Sequence, residues 1–125
     1  MPTLPPRARP RSAPDPEALD AMFRALANPV RRAVVERLAQ GPGATSELAE
    51  PFDMALPSFV QHMGILADAG LVESGKEGRT RTWRLTPGRL QEAEGWLGHQ
   101  RRLWQLRLDQ LDRYLIHLED QEEGT

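Results

Sequence analysis

Two Asx-Pro pairs, Asp15-Pro16 and Asn28-Pro29, constrain this chain more than any other feature. A short polar side chain followed by proline is the chemistry of a helix start. The Asp or Asn oxygen can accept from the first-turn N–H groups that have no partner within the helix, and proline, which has no N–H to satisfy, suits the first helical position with its φ already set. Each pair leads into apolar residues at helical spacing: Leu19, Met22, Phe23 and Leu26 after the first, Val30, Val34 and Leu38 after the second, with Gly41 as a stop. The ordered part of the chain therefore opens with two short consecutive helices.

The segment "ATSELAEPF" allows a short third helix with Thr45 as its N-cap, ended or bent near Pro51. The stretch "LPSFVQHMGILADAGLV" reads as a fourth. Wound as a helix, it gathers Leu56, Phe59, Met63 and Leu66 on one arc, the expected core side, and Gly70 closes its end. Its opposite arc holds Pro57, Ser58, Gln61, Gly64 and Asp68, flanked by His62 and Ile65. The N-terminal half of that arc is small, uncharged and able both to donate and to accept hydrogen bonds. Next, "LVESGKEGRTRTWRLT" predicts a hairpin of Leu71 to Ser74 and Thr80 to Thr86 around a turn through "GKEG". Trp83 and Leu85 share a face at its base, while Arg79 and Arg81 lie toward the tip, beyond any small core. From Gly88 to about Leu118 a long helix is expected. Leu97, Trp104, Leu111 and Leu118 recur every seven residues, Leu108 and Leu115 fill alternate positions, and Arg101 is the upstream break. That is the pattern of a seam between helices.

A chain of 125 residues suits one domain. Residues 1–14, rich in Pro and Arg with no hydrophobic stretch, predict a disordered arm rather than a secretory signal. Residues 119–125 predict an acidic disordered tail, leaving 15–118 as the folded domain. No apolar run approaches the roughly 20 residues that span a bilayer. The absence of cysteine removes disulfides, thiolate metal sites and a Cys nucleophile together, and the expected location is the cytoplasm. The formal net charge of -2 conceals an uneven distribution. Arg7, Arg9 and Arg11 lie in the arm, Lys76, Arg79, Arg81, Arg84 and Arg89 fall in one later stretch, and acids gather at the end.

Helix, helix, short helix, helix, two-stranded hairpin and long helix make a mainly α fold with a small β component. This is the order of a winged helix-turn-helix with a hairpin wing and terminal dimerisation helices. "FRALANPVRRAVVERLAQG", "TSELAEPFDMALPSFVQHMGILADAGLV" and "GKEGRTRTWRLT" resemble the ArsR-type transcription regulators, and "WLGHQRRLWQLRLDQLDRYL" is similar to the subgroup without metal-binding cysteines. The resemblance covers about residues 17 to 118. It implies a DNA-binding regulator, a homodimeric repressor reading a palindromic operator, in which the terminal helix packs with the first helix across the two-fold axis. The dimerisation residues would be Met22, Phe23, Leu97, Trp104, Leu108, Leu111 and Leu115.

In a helix-turn-helix the second helix lies in the major groove, where Gln pairs bidentately with adenine and Ser reads either sense. Gln61 is the first base-reading candidate and Ser58 the next. His62 either donates to a phosphate or guanine, or packs and caps beside the apolar arc; both readings stand at this point. Lys76, Arg79 and Arg81 would meet phosphates or the minor groove through the wing; the alternative is that the charges only protect a strand edge. Arg31 and Arg32, behind the reading head, are expected to be solvated or paired internally. The family's thiolate pair would fall at Ala49 and Pro51, which cannot ligate, and a second family site on the last helix retains only His117 and Asp120, with Trp104 and Leu106 upstream. No metal or other cofactor is expected, and no small-molecule effector is named by the sequence. An enzyme is disfavoured by three isolated histidines without a nucleophile–base pair. The competing reading is a winged helix used as a protein-interaction module.

Overall fold

A computed structural model describes residues 15–123. The elements are α1 (Pro16–Leu26), α2 (Pro29–Leu38), β1 (Gly43–Ala44), α3 (Thr45–Ala49), α4 (Leu56–Asp68), β2 (Val72–Glu77), β3 (Thr80–Leu85) and α5 (Arg89–Glu123). The expectation of a disordered arm at 1–14 lies outside the described residues.

Both Asx-Pro starts form as their chemistry requires. Asn28 Oδ1 accepts from the N–H groups of Val30 at 2.9 Å and Arg31 at 3.1 Å, and Asp15 Oδ1 accepts from Glu17 N at 3.4 Å. Thr45, by contrast, is not an N-cap. It is the first residue of α3, Ala44 precedes it without a side-chain cap, and its Oγ1 accepts instead from Trp83 Nε1 at 2.8 Å. A half-buried hydroxyl on α3 thus satisfies the indole of a buried tryptophan on β3 and ties the sheet to the helix.

The expected two-stranded hairpin proves to be part of a three-stranded antiparallel sheet of order β1-β3-β2. The short β1 pairs Gly43 with Trp83 and Ala44 with Thr82, a register that no local periodicity marks because β1 has only two residues. The hairpin turn is also tighter than expected. Lys76 and Glu77 belong to β2, opposite Arg81 and Thr80, leaving only Gly78 and Arg79 to reverse the chain. Gly78 has φ 62°, which a two-residue II′ turn demands at its first central position.

The core lies between the helices and one face of the sheet. Met22, Val34, Leu48, Phe59, Met63, Leu66 and Leu71 are its largest fully buried side chains, with Phe52 stacked on Phe59 at 5.8 Å between centroids. α4 ends with Leu71 N donating to Leu66 O at 3.0 Å and Gly70 N to Ala67 O at 2.9 Å, a left-handed closure in which Gly70 takes φ 76°. A Cβ on Gly70 would also meet Arg89 Nε at 3.0 Å, so this glycine lets the start of α5 approach the end of α4.

Three expectations, two of them about apolar residues, are corrected. Leu56 is 55% exposed, since it opens α4 before the helix reaches the core and lies over the groove beside Phe52 and Met54. Met22 is completely buried with Leu19 and Ala25 on the inner face of α1, and so offers nothing to a partner. The terminal helix continues through 119–123, where the sequence predicted the start of a disordered tail.

Candidate nucleic-acid interface

α4 is divided along its length. Phe59, Met63 and Leu66 are fully buried, while Ser58, Gln61 and Asp68 on the opposite side are exposed and Gly64 is half-buried. This follows from three apolar side chains spaced at three and four residues, which orient the helix by the area they remove from water. The N-cap, Ala55, has no side-chain oxygen to offer, so no side chain caps the first-turn N–H groups of α4. Val60 and Ile65 are also exposed on this helix; Ile65 was expected on the flank of the outward arc, whereas Val60 was not singled out.

His62 is half-buried, and its Nδ1 lies 3.1 Å from Arg31 Nη1 of α2. Arg31 in turn donates from Nε to Ala25 O at 2.6 Å and from Nη2 to Arg24 O at 3.2 Å, and Arg32 donates to Leu26 O at 2.8 Å. The internal pairing expected of these two arginines is therefore specific. Both close carbonyls at the C-terminal end of α1, where cations are favoured by the helix dipole. The sequence signal for the link between α2 and α4 was absent, because Arg31 and His62 are 31 residues apart.

The basic stretch around the hairpin separates into two groups. Arg84 is paired across the strands with Glu73 at 2.7 Å, and Arg89 with Glu92 at 3.3 Å on α5. Lys76, Arg79 and Arg81 are exposed, and the register places Lys76 directly opposite Arg81. Two cations facing each other on adjacent strands repel, so this pair does not serve the stability of the hairpin. Arg81 Nη1 donates to Ser74 Oγ at 2.8 Å, which holds its stem along the sheet. A cleft lined by Thr45, Ser46, Leu56, Arg79 and Arg81 brings the tip of the hairpin beside the starts of α3 and α4. The wing arginines and the N-terminal end of α4 therefore share one region of the surface.

α5 begins as part of the core and leaves it. Ala93 is buried, and Leu90 and Trp96 pack against the core, Trp96 meeting Phe23 edge-on at 5.8 Å. At about 100° per residue, Leu90, Ala93, Leu97, Trp104, Leu108, Leu111, Leu115 and Leu118 fall on one narrow arc. Beyond Gln100 every described residue is exposed except Asp109, and Trp104 is 67% exposed. Beyond Gln100 the stripe is not covered by the described part of its own domain. Leu103, Leu106, Tyr114 and Ile116 are exposed as well, a breadth the seven-residue spacing did not reveal. Phe23 is 36% exposed beside the root of the stripe, so it retains the position that Met22 loses.

Among the described residues, no group of three or more His, Asp or Glu side chains is arranged to hold a metal, and His117 Nε2 meets Gln121 Nε2 at 3.0 Å. No helix there is long and apolar enough to cross a membrane.

Known proteins share this arrangement. A helix-turn-helix domain family matches residues 26–75. An ArsR family transcriptional regulator of known crystal structure is 48% identical, with a TM-score of 0.71 over 74% of this chain and 96% of that one. The HTH-type transcriptional regulator Rv2034 of Mycobacterium tuberculosis is 43% identical over 68 residues, 54% of this chain, and the chain spans 64% of the length of that curated relative. The solution structure of a homodimeric winged helix-turn-helix DNA-binding domain from Mycobacterium bovis is 28% identical, with a TM-score of 0.55 over 81% of this chain and 84% of the other. With its divided α4, its basic hairpin wing and a solved relative matched over nearly its whole length, the chain belongs to the ArsR family of transcriptional regulators.

Proposed function

We propose that this protein is a homodimeric repressor that binds a palindromic operator in duplex DNA. The observation that carries the reading is the division of α4: Phe59, Met63 and Leu66 are spent on the core, leaving Ser58 and Gln61 exposed on the opposite side. Their chemistry suits base edges in the major groove, Gln61 toward adenine and Ser58 toward either sense. The adjacent Arg79 and Arg81, with Lys76, supply the attraction for phosphate that the reading residues lack. One such head covers few base pairs, so two heads related by a two-fold axis would read half-sites about one helical turn apart.

The apolar stripe of α5 supports the dimer. A monomer rarely leaves a contiguous apolar patch of this extent in water, and a second copy would cover it with an identical stripe. The homodimeric state of the Mycobacterium bovis relative favours the same arrangement. Two heads placed on a promoter block polymerase sterically, which is repression without any further contact.

Titration of a duplex from the protein's own promoter against a scrambled duplex, at several salt concentrations, tests this reading. Selective binding is expected, with log affinity falling linearly in log salt. Equal affinity for both duplexes would remove sequence reading, and no affinity for either would favour a protein-interaction module.

A further inference from the structure

We propose that Arg31 is a positioning residue for α4, holding His62 in its Nε2–H form so that the imidazole presents one outward donor to a hydrogen-bond acceptor on duplex DNA. The proposal rests on the DNA-binding reading above for its last clause and on the internal geometry for the rest. A guanidinium has five N–H donors in a rigid planar fork and no acceptor. With Arg31 Nη1 at 3.1 Å from His62 Nδ1, the ring nitrogen is therefore the acceptor. A neutral imidazole that accepts at Nδ1 carries its proton on Nε2, at the other edge of the ring.

Arg31 is itself immobilised before it meets the histidine. Nε and Nη2 are engaged by Ala25 O and Arg24 O, carbonyls at the end of α1. Fixing two of the three nitrogens fixes the plane of the fork and hence the direction of the third. Arg32 performs a similar closure on Leu26 O, but only Arg31 spans to α4. One side chain thus joins α1, α2 and α4. On α4, His62 stands about 40° around the helix from Ser58 and about 100° from Gln61, next to the proposed reading residues. Ring orientation and tautomer are the properties that decide whether such a residue offers a donor or an acceptor to DNA, and here another residue sets both.

Two-bond proton–nitrogen correlation spectra of the labelled full-length protein at neutral pH test the assignment directly. His62 should show a bare Nδ1 and a protonated Nε2, and Arg31→Met should shift the ring toward a mixture of the two tautomers. A proton on Nδ1 in the unmodified protein would overturn the proposal, and this measurement stands even if Arg31→Met fails to fold. In duplex titrations His62→Ala should lose roughly three- to tenfold in affinity, the worth of one hydrogen bond. Adding Arg31→Met to His62→Ala should cost nothing further, whereas full additivity would make Arg31 a structural brace only. Loss confined to one base position identifies a purine acceptor and uniform loss a phosphate oxygen; either supports the proposal, and no loss overturns it. If the unmodified protein binds no duplex, the DNA-binding reading falls instead, and the imidazole spectrum still decides the positioning role.

Discussion

α4 and the outer part of α5 are both helices with an apolar arc, yet one arc is buried from Phe59 onward and the other is bare. In α4, Phe59, Met63 and Leu66 are sealed beneath α1, α2 and the sheet. In α5, the arc that starts on the core with Ala93 continues past Gln100 with none of the described residues beneath it. The difference lies in the length of the helix relative to the domain. α4 has 13 residues and from Phe59 to Leu66 lies on the core, whereas α5 has 35 and outruns it. A consumed arc leaves the opposite, polar face as the part free to act; a bare arc makes the apolar face itself the part that acts.

This contrast can be broken by mutating each arc. Trp104→Ala with Leu111→Ala should have the largest effect, because in a dimer each truncation leaves a void, worth roughly 3 to 5 kcal/mol for the aromatic and 2 to 5 for the leucine. Sedimentation should find monomer or unfolded chain at micromolar concentration, with operator binding lost although Ser58, Gln61 and Arg79 are untouched. A persistent dimer would show that the stripe is covered by something else. Phe59→Ala should lower stability by about 3 to 5 kcal/mol through the cavity it leaves in a closed core. The distinguishing readout is dilution. Denaturation of Phe59→Ala should show the same loss at every concentration, while the loss from the α5 variants should be largest in concentrated protein and shrink on dilution, as the unmodified dimer itself dissociates.

On the polar side of α4 the effects are smaller and fall on selectivity. Gln61→Ala should cost about 1 to 3 kcal/mol on the best site and leave non-specific binding nearly unchanged. An unaltered preference in a selection from randomised duplexes would remove Gln61 from the reading role. The wing should behave in the opposite way. Arg79→Ala with Arg81→Ala should weaken specific and random duplexes alike and make the slope of log affinity against log salt shallower by nearly two units if each meets one phosphate. Zinc or nickel should have the least effect of all. With Ala49 and Pro51 at the positions of the family's thiolates, micromolar metal should neither bind stoichiometrically in calorimetry nor shift DNA affinity.

The division of α4 was legible because Phe59, Met63 and Leu66 are local neighbours on a helix, and three of them suffice to choose the inward face. The start of α2 was legible for the same kind of reason: Asn28 meets N–H groups two and three residues away. Leu56 defeated this reasoning because it stands on the correct arc but one turn before the core begins. Met22 and Phe23 are adjacent, and the family resemblance put both near the dimer axis, but only the placement of α1 against α2 and α4 decided that the first is interior and the second remains accessible.

What the sequence determined by itself, then, is whatever short-range stereochemistry enforces: the Asx-Pro helix starts, the glycine closures at Gly41 and Gly70, the inward face of α4 and the long repeat of α5. What only the tertiary structure decided are relations between residues far apart in the chain. β1 finds β3, Thr45 accepts from Trp83 across 38 residues, Arg31 reaches His62, and the wing tip comes to rest beside the start of α4. The physical reason is that a helix start or turn depends on backbone groups a few bonds away, which the local sequence specifies. A guanidinium, by contrast, has the same donors wherever it lies, and its partner is chosen by the packing that brings one to it.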